Sequence, residues 1–142
     1  MSQEEAEVRR KTVLIVDDEA AIREMVSLAL ETAKFNVLEA GDSQEGRAII
    51  IDSQPDAVLL DWMMPGTTGL EFLRRLRRDP LTEKIPVILL TAKTSEDSKI
   101  TGLDSGADDF ISKPFSPKEL VSRIRAVIRR SIVTEPSEPI KV

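Results

Sequence analysis

The sequence predicts an α/β domain built on a doubly wound parallel sheet, and three observations carry the prediction. Five short apolar runs rich in branched residues recur along the chain, at residues 13–16, 37–38, 57–60, 87–90 and 110–111. Segments of helical length separate them. Three of the runs are nearly continuous rather than alternating, as strands are when a parallel sheet is covered on both faces. Strand and helix repeated five times in this way place helices on both sides of one sheet.

Taken in order, the first run leads into a segment where Ile22, Met25, Val26, Ala29 and Leu30 recur at helical spacing. After the second run, Asp42-Ser43-Gln44-Glu45 marks a helix start, and after the third Thr68-Gly69-Leu70-Glu71 does the same. The segment 95–105 following the fourth run has only Ile100 and Leu103 as clear apolar anchors, with Gly102 between them. Such a helix buries little and carries a glycine, so it is expected to be marginal, an element that two packings can share. The last helix starts with a strong signal at Ser116-Pro117-Lys118-Glu119: an N-cap serine, proline at the first helical position and glutamate for a capping box. Leu120, Val121, Ile124, Val127 and Ile128 continue it. Residues 131–142 contain two prolines and no periodicity, and read as a linker or disordered tail; residues 1–10 read as a flexible, charged extension. One domain, residues 11–130, remains.

Composition narrows the chemistry. The 142 residues include no cysteine and no histidine, which rules out disulfides, Cys- or His-ligated zinc, thiol nucleophiles and Ser-His hydrolysis within the chain. The net charge of −5 argues against direct DNA binding, including through the arginines of the last helix. No apolar stretch approaches the roughly 20 residues of a membrane helix and no signal peptide is visible, so a cytoplasmic location without membrane association is expected. Chemistry must rest on carboxylates, hydroxyls, lysines and backbone groups.

Open parallel α/β sheets bind ligands beyond the carboxyl ends of their strands. Following the first strand are Asp17, Asp18 and Glu19; following the third is Asp61; at the fourth is Thr91, and just past the fifth is Lys113. Crowded carboxylates repel, and a hard divalent cation relieves them. Mg²⁺ suits this donor set because it takes a few carboxylates and leaves positions for water and phosphate oxygens. An aspartate beside such an ion can attack phosphorus and form an acyl phosphate, with an ammonium and a hydroxyl to receive the phosphoryl oxygens. Singly, each residue has an ordinary use: Asp17-Asp18-Glu19 suits a helix cap and dipole, Asp61 a turn. The weight lies in Asp17, Asp18, Asp61, Thr91 and Lys113 together at one end of the sheet.

These residues stand in Val13-Leu14-Ile15-Val16-Asp17-Asp18, Leu59-Leu60-Asp61-Trp62-Met63-Met64-Pro65-Gly66, Leu89-Leu90-Thr91-Ala92 and Gly106-Ala107-Asp108-Asp109-Phe110-Ile111-Ser112-Lys113-Pro114-Phe115. In this order and spacing the chain resembles the receiver domains of two-component response regulators, the CheY-like superfamily, over about residues 11–130. Ile22-Arg23-Glu24-Met25, the Asp61-Trp62-Met63 segment and the run from Lys113 to Leu120 resemble the PhoB-type phosphate-regulon transcriptional regulators. The resemblance implies a flavodoxin-like (βα)5 fold with strands in the order 2-1-3-4-5. It implies Asp61 as phosphoacceptor, Mg²⁺ held by Asp17, Asp18, Asp61 and the Met63 carbonyl, and Lys113 and Thr91 on phosphoryl oxygens. It also implies a switch through Thr91 and residue 110, and a cis bond between Lys113 and Pro114. At the switch the sequence departs from its relatives, which usually carry tyrosine where Phe110 stands.

The implied partners are a sensor histidine kinase as phosphodonor and a second copy of the chain, with DNA reached only through a C-terminal effector domain that this chain lacks. The activated homodimer would form through the fourth helix, fifth strand and fifth helix, with Lys99–Glu119 and Asp108 or Asp109 with Arg123 or Arg130 as candidate pairs. A stand-alone receiver is a rival, but the linker-like tail favours a tethered one. An aspartate-nucleophile phosphatase is another; such enzymes place a second acid two residues after the nucleophile, where this chain has Met63. The expectation is therefore a regulatory phosphoacceptor rather than an enzyme, with only slow self-dephosphorylation.

Overall fold

The computed structural model describes residues 10–64, 66–92 and 96–133. The extension read at the N-terminus lies outside the described residues but for Arg10, as does the tail beyond Val133. The elements are β1 (Thr12–Val16), α1 (Ala20–Thr32), β2 (Asn36–Ala40), α2 (Ser43–Ser53), β3 (Ala57–Asp61), α3 (Gly69–Arg78), β4 (Val87–Thr91), α4 (Glu96–Asp104), β5 (Asp109–Ser112) and α5 (Pro117–Val133). All strand pairs are parallel and the order is β2-β1-β3-β4-β5. Among the described residues no helix is long and apolar enough to cross a membrane.

Burial explains which runs are continuous. β3 and β4 are buried along their whole length and β1 for all but its first residue, while the edge strands β2 and β5 are half-exposed. Successive side chains alternate between two cores. Leu14, Val16, Val58, Leu60, Val87 and Leu89 pack with Ile50 of α2 and with Phe72, Leu73 and Leu76 of α3. Val13, Ile15, Leu59, Ile88 and Leu90 pack with Val26 and Leu30 of α1 and with Leu120, Ile124 and Val127 of α5. Each fully buried aliphatic side chain contributes about 1.5–3 kcal/mol relative to exposure, so the central strands are held from both sides.

All three helix-start signals are used. Asp42, Thr68 and Ser116 accept from the backbone N–H of Glu45 (2.8 Å), Glu71 (3.1 Å) and Glu119 (3.0 Å), and Glu45 returns the favour by accepting from Gly41 N–H at 2.8 Å. α5 runs three residues into the segment expected to be a linker, through Val133.

In α4 the expected anchors face the wrong way. Ile100 and Leu103 are each 49% exposed, and the residue turned inwards is Gly102. A Cβ built there would sit 3.1 Å from Leu89 Cδ1 and 3.3 Å from Trp62 Cζ3, so the helix backbone itself lies on the Trp62 ring. The glycine taken as a weakness of this helix is what lets it approach, and its apolar residues are left on the surface.

Gly69 opens α3 directly on the end of β3: its N–H donates to the Trp62 carbonyl at 2.9 Å, and a Cβ would collide with the Asp61 carbonyl oxygen. Backbone cannot rotate aside as a flexible side chain can. Gly69→Ala is therefore expected to destabilise the fold by about 3 kcal/mol, the upper end for overpacking; an unchanged urea midpoint would contradict this packing.

Candidate functional site

Register alone brings the site together. Val16 of β1 is level with Leu60 of β3, so the next residues, Asp17 and Asp61, emerge side by side. Asp61 is level with Leu90 of β4, which sets Thr91 one step beyond, and Thr91 is level with Ser112, after which comes Lys113. β1 and β3 are the neighbours between which the direction of strand addition reverses, the place where such sheets open a crevice.

A carboxylate oxygen from each of Asp17, Asp18 and Asp61 lies within 4.8 Å of the others. Asp17 and Asp61 are buried, at 0% and 4% exposure, while Asp18 is exposed. Lys113 reaches across from the far side, with Nζ 3.2 Å from Asp61 Oδ1, 3.3 Å from Asp17 Oδ2 and 4.0 Å from Glu19 Oε1. The Lys113–Pro114 bond that carries it is cis. Met63 donates its N–H to Asp61 Oδ1 at 3.4 Å, and Glu19 donates its N–H to Asp17 Oδ1 at 2.9 Å.

Burial and the neighbouring Asp17 raise the Asp61 carboxyl from 3.8 to about 6, against the opposing pull of Lys113 and the Met63 N–H. Burial also disfavours the Lys113 ammonium, but Asp17 and Asp61 more than offset it and hold it above its ordinary range. The donor set fits a hard divalent cation: two buried carboxylates and one exposed one, close enough to share an ion, with an open outer side through Asp18.

Thr91 is buried at the end of β4 as the register requires. Phe110 is half-buried at the edge of one core, with Lys99 Nζ 5.4 Å above its ring. The residues expected at a dimer surface already have partners within the chain. Arg123 pairs with Asp109 at 3.1 Å and with Glu119 at 3.2 Å, and these carboxylates hold its guanidinium above the ordinary range despite partial burial. Asp108 accepts from Arg77 (2.9 Å) and from the Val87 N–H (2.8 Å). Arg130 also has a partner.

Two arginines had no assigned role in the sequence. Arg77 of α3 donates to the carbonyls of Gly106, Ile85 and Glu83 at 2.9, 2.7 and 3.0 Å, besides Asp108, and so staples α3 to the segment before β4 and to the turn before β5. Arg23 of α1 donates to the Asp17 carbonyl at 2.7 Å. A cation one turn into the helix that follows an acidic pair was the signal available for Arg23.

The raised Asp61 carboxyl has a definite pH consequence. Between the unfolded value of 3.8 and about 6 the folded chain keeps a proton that the unfolded chain has released, so stability falls as pH rises through that window. Above it the cost is about 1.4 kcal/mol per pKa unit. In metal-free buffer near neutral pH, Asp61→Asn is expected to be more stable than the parent by on the order of 2 kcal/mol, with the advantage gone by about pH 4. Urea titrations at both pH values check it, and an Asn variant no more stable at neutral pH would contradict the electrostatics.

Known proteins place the chain. Residues 13–125 match the response regulator receiver domain family. The chain is 58% identical over 132 residues to the phosphate regulon transcriptional regulatory protein PhoB of Pseudomonas aeruginosa, covering 93% of this chain and 58% of that protein. It is 49% identical over 120 residues to PhoB of Escherichia coli, covering 84% of this chain and 52% of that one. The chain thus spans little more than half the length of these relatives. Among solved structures, the Vibrio cholerae chemotaxis protein CheY4 superposes with a TM-score of 0.79 at 35% identity, over 83% of this chain and 98% of that one. The Francisella response regulator 1452 receiver domain does so with a TM-score of 0.81 at 34% identity, over 86% and 99%. With this sheet order, this acid cluster and this match, the chain belongs to the response regulator receiver domain family.

Proposed function

We propose that the chain is the phosphoacceptor module of a two-component transcription regulator, phosphorylated on Asp61 in a Mg²⁺-dependent reaction. The observation that carries this is the meeting of Asp17, Asp18 and Asp61 within 4.8 Å at the β1/β3 reversal, with the Lys113 ammonium facing them. Asp17, Asp18 and Asp61, with the Met63 carbonyl, are the residues that hold Mg²⁺. When bound, the ion offsets the carboxylate repulsion and supplies positive charge towards phosphoryl oxygens.

The chain's own residues do the rest. An Asp61 carboxylate oxygen attacks the phosphorus of a phosphohistidine on a sensor kinase, the donor's P–N bond breaks, and an acyl phosphate remains on Asp61. Lys113 loses a carboxylate partner as Asp61 is phosphorylated, and its ammonium turns to a phosphoryl oxygen. The Thr91 hydroxyl, one step past Asp61 on the adjacent strand, donates to another. Two residues after Asp61 stands Met63, which is no acid or base, so hydrolysis of the acyl phosphate is slow and the modification lasts as a signal.

The signal leaves through α4, β5 and α5. Ile100 and Leu103 offer apolar surface on α4, with Lys99 lying on Phe110 beside them. Phe110 turns without a hydroxyl to hydrogen-bond, so the switch at this position works by packing. In a two-fold dimer, Lys99 meets Glu119 of the second copy, and Asp108 or Asp109 meets its Arg123 or Arg130. Each exposed pair contributes about 0–1 kcal/mol, so exchanging the internal Arg123 pairs for intermolecular ones costs little, and burial of Ile100 and Leu103 supplies the net gain. DNA is reached through an effector domain joined beyond α5, as the transcriptional role of the PhoB relatives suggests.

Incubation with Mg²⁺ and acetyl phosphate is expected to add one phosphoryl group to the intact mass, dependent on the metal and lost in Asp61→Ala. The phosphorylated sample is expected to sediment as a dimer, and with Ile100→Glu as a monomer. No mass gain on a folded chain, or a gain that survives Asp61→Ala, would overturn the proposal.

A further inference from the structure

The Asp17 main chain is tied to the end of β2 on both sides. Its N–H donates to the Ala40 carbonyl at 3.1 Å, and its carbonyl accepts from Arg23 Nη1 at 2.7 Å. Arg23 is itself held by β2, with Nε 3.3 Å from Glu39 Oε1, and the other Glu39 oxygen accepts from Ser27 Oγ at 2.8 Å. Ser27 lies one turn further along α1 and is buried. α1 and β2 thus grip the β1–α1 turn through a single guanidinium. Its planar fork serves a carbonyl and a carboxylate at once, which an ammonium on a flexible stem does poorly.

We propose that Arg23 is a positioning residue for the cation site: by holding the Asp17 carbonyl against β2, it fixes the pose in which the Asp17 carboxylate meets a divalent ion. The inference rests on the reading that Asp17, Asp18 and Asp61 hold Mg²⁺. That ion tolerates little departure from octahedral geometry, so a ligand free to swing with its peptide plane binds it less well. The side chain of Asp17 takes its remaining support from the Glu19 N–H at 2.9 Å and from Lys113 at 3.3 Å. Neither of these holds the carbonyl.

The sign of the effect separates positioning from charge. Arg23 is a cation close to a cation site, so by charge alone its removal tightens Mg²⁺ binding. Positioning predicts the reverse.

The test is Mg²⁺ titration of the full chain, followed by fluorescence of Trp62, the single tryptophan and the neighbour of Asp61, and in parallel by the Mg²⁺ dependence of the urea midpoint. Arg23→Met is expected to bind about tenfold more weakly, the lower end of the range for residues that orient metal ligands. Glu39→Gln, which leaves the carbonyl contact in place, is expected to lose less. Arg23→Gln serves as the second variant should Arg23→Met fail to fold, with weaker binding again expected. Unchanged or tighter binding in a folded Arg23 variant, or an equal loss in Glu39→Gln, overturns the inference while the cation site stands. A parent chain that shows no Mg²⁺ response overturns both.

Discussion

Two buried carboxylates pressed against one ammonium form the constraint on which this molecule turns. Asp17 and Asp61 are almost wholly withdrawn from water, and Lys113 bridges them at 3.3 and 3.2 Å. Burial, and after it the neighbouring Asp17, raise the proton affinity of Asp61 by more than the single Lys113 ammonium lowers it. The site has two ways to settle, by taking up a proton or by taking up a cation.

The fold exists to hold that imbalance still. The in-register ends of β1, β3 and β4 bring Asp17, Asp61 and Thr91 to one edge, and burial of those strands on both faces leaves the backbone no room to spread. α3 starts on the Asp61 carbonyl because residue 69 has no side chain, and the β1–α1 turn is pinned to β2 through Arg23. On the other side, α4 rests on Trp62, the residue after Asp61, by way of Gly102. A change in charge or bulk at Asp61 therefore meets α4 through one aromatic ring, and α4 exposes the apolar residues that a partner copy can cover.

Much of this was legible in the sequence, for identifiable reasons. Residues buried on both faces must be apolar throughout, so β1, β3 and β4 announced themselves, and local capping marked α2, α3 and α5 at Asp42, Thr68 and Ser116. The site was legible because each of its residues stands at the end of a recognisable strand. What escaped depends on contacts between distant elements. Apolar content said that α4 packs through Ile100 and Leu103, but the close approach to Trp62 admits only the glycine between them. The resemblance offered Asp108 to a partner copy, and nothing local showed that Arg77, 31 residues away on α3, and the Val87 N–H also hold it inside the chain. Arg23 was visible as part of a familiar run and as a cation one turn past an acidic pair, yet that signal did not say which Asp17 atom its guanidinium meets.

We propose the acid cluster as a cation site, faced by Lys113 and kept in place by the strands around it. Crystals of the chain grown with Mn²⁺ as an anomalous scatterer test this most directly. One anomalous peak among the carboxylates of Asp17, Asp18 and Asp61 and the carbonyl of Met63 is the predicted result. A map with no peak there at saturating Mn²⁺, and Lys113 still bridging Asp17 and Asp61, would contradict it.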